Sequence, residues 1–274
     1  MKNKRLLCFL LLLAFLNKSK AEVDTVGIYS KSMHKIIKAV VITPSSYKKD
    51  HEKHFPVVYL LHGYSGNFSN WITKVPRLQS WADEFNLMIV CPDGAFSSWY
   101  FDSPIDSSYR YETHVGLEVP EYIDAHYKTI PDRMHRAITG LSMGGHGGLF
   151  LGFRHPDIYG ACGSTSGGVD LHASIGRFDV AKRIGDTALY ANNWNDYSVT
   201  HVIEQYPKEG LSIIIDCGTS DIFYDVNNQL HQKMLQLKIP HDFIIRPGGH
   251  DWNYWTNSIK YQLLFFREYF EKSK

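Results

Sequence analysis

The stretch Met134-His-Arg-Ala-Ile-Thr-Gly-Leu-Ser-Met-Gly-Gly-His-Gly-Gly-Leu-Phe-Leu-Gly-Phe153 decides the fold. It carries Gly140-Leu141-Ser142-Met143-Gly144, a G-x-S-x-G pentapeptide between a strand-like run and a helix-like run. Such a serine sits on a sharp strand-to-helix turn that lifts its hydroxyl above a sheet. Its backbone is strained, and side chains two residues before or after it would strike the neighbouring strand or helix, so both places need glycine. Gly145, Gly147 and Gly148 weaken a helix by propensity, and their number predicts a helix packed close against the sheet. The pentapeptide alone recurs by chance in globular chains, so its flanks and its distant partners carry the argument.

Outward from it, Pro156 stops the helix and residues 158–162 predict a strand. Upstream, residues 26–29 and 35–42 predict an antiparallel edge pair, and 55–61 a buried strand ending in His62-Gly63-Tyr64-Ser65-Gly66. A helix over 76–85, a strand over 87–90 and its turn Pro92-Asp93-Gly94 follow. Residues 95–114 are expected to form a long aromatic loop and 118–127 a helix. Downstream come a partly helical insertion (169–207), a strand (211–216), a helix (227–237), a strand (242–246) and a C-terminal helix (252–270). Strands alternating with helices through short turns predict an α/β fold, a mostly parallel central sheet with helices on both faces. The 274 residues show no internal repeat or linker, so a single domain over 22–274 is expected.

The start has the form of a signal peptide. Lys2, Lys4 and Arg5 make a basic region, 6–16 an apolar one, and Ser19-Lys20-Ala21 a small-x-small cleavage site, so residues 1–21 are expected to be removed on export. No later segment approaches the length of a membrane span. Removal takes five of the 29 basic side chains and none of the 28 acidic ones, leaving a formal charge of −4. That balance argues against nucleic acid or an anionic membrane surface as partner. Cys91, Cys162 and Cys217 each end an apolar run and read as small buried hydrophobes, with at least one unpaired. No C-x-x-C spacing suggests a metal.

In an open α/β sheet, functional residues lie beyond the carboxyl ends of the strands. Ser142, Asp221 and His250 each follow a predicted strand, in the order Ser, Asp, His. Such a trio makes a nucleophile, the acid that orients a base, and the base itself. The oxyanion of an acyl-transfer intermediate would meet the backbone N–H groups of Met143 and Tyr64. His62 is expected to brace that second loop, and His146, one helical turn beyond Ser142, to be structural. Asp225 is the rival acid, with Asp216 less suited inside its strand. His51 and His54 lack the H-E-x-x-H zinc pattern and read as a solvated turn. Trp99, Tyr100, Trp194, Tyr197 and Trp252 are candidates for an aromatic binding wall, Trp99 and Tyr100 foremost.

Leu60-Leu61-His62-Gly63, Pro92-Asp93-Gly94, the run from Gly140 to Gly145, Ser166-Gly167, the run from Gly218 to Asp221 and that from Gly248 to Trp252 together resemble the esterase D-like "putative esterase" family. That family includes carbohydrate esterase family 1 feruloyl and acetylxylan esterases, tributyrin esterases, S-formylglutathione hydrolases and mycolyltransferases of the antigen 85 type. The likeness runs over residues 41–270. It implies an α/β-hydrolase fold, no metal or organic cofactor, and the same three catalytic positions. Residues 99–104 resemble its substrate-side loop, while the insertion falls where members vary most. The expectation is a secreted or periplasmic serine carboxylesterase acting through an acyl-serine intermediate on feruloyl or acetyl esters of plant polysaccharides. A tributyrin-type esterase or an acyltransferase is the alternative, and a non-catalytic carbohydrate-binding protein a distant one.

Overall fold

Val57-Val58-Tyr59-Leu60-Leu61 is apolar at every position because both faces of this strand are covered. Val58 and Leu60 face one layer of helices, while Val57, Tyr59 and Leu61 face the other. The computed structural model describes residues 21–207 and 210–272; the expected signal peptide lies outside them except for Ala21. Its eight strands are β1 (Glu22–Ser30), β2 (Lys35–Thr43), β3 (Val57–Leu61), β4 (Met88–Pro92), β5 (Arg136–Gly140), β6 (Ala161–Thr165), β7 (Ser212–Gly218) and β8 (Asp242–Arg246). They form one sheet in the order β1-β2-β4-β3-β5-β6-β7-β8. Strands β3 to β8 run parallel; β1 and β2 form the antiparallel edge.

Helices α1 (Asn70–Lys74) and α2 (Leu78–Phe85) connect β3 to β4. Before β5, α3 (Tyr111–Thr113) passes through a π-helical turn, His114–Glu118, into α4 (Val119–His126). Helix α5 (Met143–Arg154) follows β5 directly. Between β6 and β7 lie α6 (Ala181–Ile184), α7 (Ala191–Asp196) and α8 (Val199–Val202). Then α9 (Tyr224–Gln236) precedes β8 and α10 (Trp252–Lys272) follows it. Trp71 of α1, α2 and α10 cover one face, and α4, α5 and α9 the other.

Two expectations need correction. The strand expected at 158–162 is Ala161–Thr165, three residues later. Its residues are small and partly polar because α5 lies almost on it: a Cβ added to Gly148 would stand 2.4 Å from Gly163 O. The helix expected from 118 begins at Tyr111, inside the expected loop. Its buried face hides polar groups that mask the apolar period. Glu112 pairs with Arg154 Nε at 2.6 Å, and His114 with Glu118 at 2.8 Å. The three cysteines described are buried and free, and burial pushes each thiol up. No helix among the described residues is long and apolar enough to cross a membrane.

The contact between α5 and β6 leaves no room for a methyl group. We expect Gly148→Ala to cost about 1–3 kcal/mol through overpacking, read as a Tm lowered by several degrees in thermal unfolding.

Candidate active site

Strand order reverses between β3 and β5: the chain leaves β3 toward β4 and leaves β5 toward β6 on the other side. Crevices open at such switch points. Ser142 stands there, immediately past β5, with φ 55° and ψ −117°. A non-glycine residue held there costs on the order of 1–3 kcal/mol. Its N–H donates to Thr165 O at 2.9 Å, which fixes the turn to the end of β6. A Cβ at Gly140 would lie 2.6 Å from both Gly144 O and Leu61 O, and one at Gly144 2.5 Å from His62 O. The two flanking glycines are therefore forced by backbone contact.

His250 reaches this serine from the loop after β8. Its Nε2 lies 2.9 Å from Ser142 Oγ, and its Nδ1 lies 3.0 Å from each carboxylate oxygen of Asp221. With Nδ1–H donating to the carboxylate, Nε2 is left to accept the serine proton. The Asp221 side chain is fully buried, and Phe223 N–H donates to its Oδ1 at 2.8 Å. The loops bearing the two residues continue the pairing of β7 with β8, through Thr219 N to Arg246 O at 3.0 Å and Ser220 N to Gly248 O at 2.9 Å. Asp225 is exposed in the first turn of α9. Asp216 is buried in β7 and accepts from Tyr254 Oη and Arg246 Nη2.

On the β3 side, His62 is buried. Gly94 N–H donates to its Nε2 at 2.8 Å, which puts the ring proton on Nδ1, 2.8 Å from Gly63 O. Tyr100 Oη donates to His62 O at 2.9 Å. The loop that presents Tyr64 is thus held from beneath. The N–H groups of Tyr64 and Met143 have no acceptor among the described residues, and that of Met143 opens α5, where no intrahelical acceptor exists.

Trp99 and Tyr100 are not on the pocket wall, which corrects their expected place there. They are 1% and 0% exposed, on a loop where both have positive φ, 55° and 63°. Trp99 packs against His146, and Trp194 is buried with its Nε1–H on Gly185 O at 3.0 Å. Tyr197 stacks on Phe150. The pocket over Ser142, about 240 Å³, is walled by Tyr64, Phe178, Trp252 and Trp255, with Asn70 and His250 among its polar groups. Of the five aromatic residues expected at such a wall, Trp252 stands on it. Trp255, one helical turn on, was legible from that spacing, whereas nothing in the sequence marked Phe178. His51 and His54 are exposed, and no cluster of three or more potential metal ligands occurs among the described residues.

The family model described as "Putative esterase" matches residues 30–266. An acetyl esterase of Caldicellulosiruptor saccharolyticus is 25% identical over 252 residues, covering 85% of this chain and 94% of its own. The S-formylglutathione hydrolase of Bos taurus is 28% identical over 218 residues, covering 70% of this chain and 75% of its own. A solved ferulic acid esterase is 29% identical with a TM-score of 0.78, covering 92% of this chain and 99% of its own.

His146 sits behind the serine turn and outside the pocket. Its Nε2–H donates to Tyr197 O at 2.8 Å, its Nδ1 is buried without a partner, and rings of Trp99, Phe101 and Phe150 surround it. Burial pushes its pKa down to about 4. An unfolded histidine titrates near 6.5, so between those values only the unfolded chain takes up this proton and stability falls as pH drops. From pH 7 to pH 5 we expect this group to remove about 2 kcal/mol. Urea unfolding at both pH values should show that increment in the wild type and its absence in His146→Phe.

Proposed function

The chain belongs to the putative esterase family, and from that membership we propose that it is an exported serine carboxylesterase acting through an acyl-serine intermediate. The observation that carries this reading is the convergence of Ser142, His250 and Asp221, with contacts of 2.9–3.0 Å, at the switch point of the sheet. Ser142 Oγ attacks the ester carbonyl carbon while His250 Nε2 takes its proton. The carbonyl oxygen becomes an oxyanion, met by the N–H groups of Tyr64 and Met143, neither committed elsewhere. As the tetrahedral centre collapses, the bond to the leaving oxygen breaks and His250 gives that oxygen the proton. Water then repeats the cycle on the acyl-serine, releasing the acid and freeing Ser142. Asp221 keeps the imidazole in its tautomer and offsets the imidazolium charge.

For the substrate we favour acetyl or feruloyl esters of plant polysaccharides. The acetyl esterase relative and the ferulic acid esterase likeness support this, as does the aromatic pocket wall. Export rests on the basic and apolar pattern of residues 1–21. The S-formylglutathione hydrolase relative favours a second reading, a thioester substrate, which the same acyl-serine chemistry would serve.

Ser142→Ala should abolish the burst of p-nitrophenol from p-nitrophenyl acetate. Asp221→Asn should keep the fold, by thermal unfolding, and lower kcat by roughly 10⁴-fold, as loss of the orienting carboxylate does in serine proteases. Among methyl ferulate, acetylated xylan, tributyrin and S-formylglutathione, one of the first two should show the highest kcat/KM. Preference for S-formylglutathione would establish the thioester reading instead.

A further inference from the structure

Three of the four aromatic residues around Ser142 belong to the framework. Tyr64 follows β3, and Trp252 and Trp255 open α10. The fourth, Phe178, comes from the connection between β6 and β7 and is half-buried. Its backbone is unusual: Gly176, Phe178 and Asp179 have φ of 71°, 55° and 55°. Two successive non-glycine residues in the left-handed region persist only where their surroundings hold them. Here the holds can be named. Trp99 Nε1–H donates to Phe178 O at 2.9 Å, Tyr64 Oη–H to Asp179 Oδ2 at 3.3 Å, and Lys182 pairs with Asp179 at 3.0 Å.

The consequence is a fixed position for the Phe178 ring. It lies 5.5 Å from the Tyr64 ring and 6.0 Å from that of Phe223, which in turn lies 5.3 Å from His250. The strap over residues 176–179 therefore holds one wall of a pocket whose 240 Å³ is small beside the 300–1,000 Å³ common for ligand sites. It also gives Trp99 a purpose in its buried place, since the indole anchors the strap.

We propose that this strap is the specificity element of the site, with Phe178 as the side chain that admits short or flat acyl groups and excludes long flexible ones. The proposal rests on the serine-esterase reading and goes beyond it by assigning the size limit to one residue. Phe178 acts as a wall and takes no part in proton transfer or attack.

The test is the ratio of kcat/KM for p-nitrophenyl octanoate to that for p-nitrophenyl acetate. We expect a low ratio in the wild type and a rise of about tenfold or more in Phe178→Ala, the scale on which hydrophobic pockets discriminate chain length. Phe178→Leu should give an intermediate ratio. Trp99→Phe, which keeps a ring but removes the donor to Phe178 O, should shift the ratio in the same direction. If Phe178→Ala does not fold, the other two variants carry the test. An active wild type whose folded variants keep its chain-length profile would overturn the strap's role alone. A wild type that turns over neither ester, or a Ser142→Ala variant as active as the wild type, would overturn the serine-esterase reading on which the strap depends.

Discussion

The hydrogen bond from Ser142 N–H to Thr165 O is the contact on which the site depends. It carries the pairing of β5 with β6 one step past the strands, where Leu141 bridges to Thr165. The serine turn is thereby fixed although its φ of 55° is one that a relaxed chain avoids. The strain persists because everything around it is close-packed: Gly140 and Gly144 meet backbone oxygens, and Gly148 meets Gly163. From the opposite face, α10 holds the end of β6 with polar groups. Gln262 Nε2 donates to Ser164 O at 2.9 Å and to Thr165 Oγ1 at 2.8 Å, and Ser258 Oγ lies 2.8 Å from Thr165 Oγ1. Buried donors and acceptors are costly when unpaired, so this network favours one placement of the strand end.

The same helix supports the other half of the site. Asp216, at the core of β7, receives the Tyr254 hydroxyl of α10 and the Arg246 guanidinium of β8. Burial pushes its carboxyl up, against the pull of these two partners. Removing one partner of a buried pair typically costs about 3–5 kcal/mol, because the other charge is stranded. Asp216 thus ties together β7, which leads to Asp221, β8, which leads to His250, and α10, whose first turns line the pocket. Its burial suits the role of anchor, and its engagement with Arg246 and Tyr254 keeps it out of the contact that His250 makes with Asp221.

Much of this was legible in the sequence, and the limits have physical causes. The strands bury both faces, so their apolar runs stand out. Candidate functional groups in such a sheet follow strand ends, so position and order single out Ser142, Asp221 and His250, and the fold brings these three within hydrogen-bonding distance of one another. Strand β6 escapes its apolar pattern because α5 lies too close to admit large apolar residues; Gly163, Ser164 and Thr165 lack the usual strand signature. The helical start at Tyr111 leaves no apolar period because ion pairs replace apolar residues on its buried face. Trp99 and Tyr100 follow a strand as pocket residues do, yet both are buried in the core. Phe178 reaches the wall on a strap of positive-φ residues tied down by distant partners, which no periodicity reveals.

On the reading proposed above, this fold activates one serine hydroxyl and no other. The decisive measurement treats native protein with an aryl phosphonate ester, then digests it and locates the adduct by mass spectrometry. The expected result is one adduct per chain, on Ser142, formed at a rate that collapses when His250 is replaced by phenylalanine. An adduct on a different residue, or equal labelling of native and urea-unfolded protein, would contradict it.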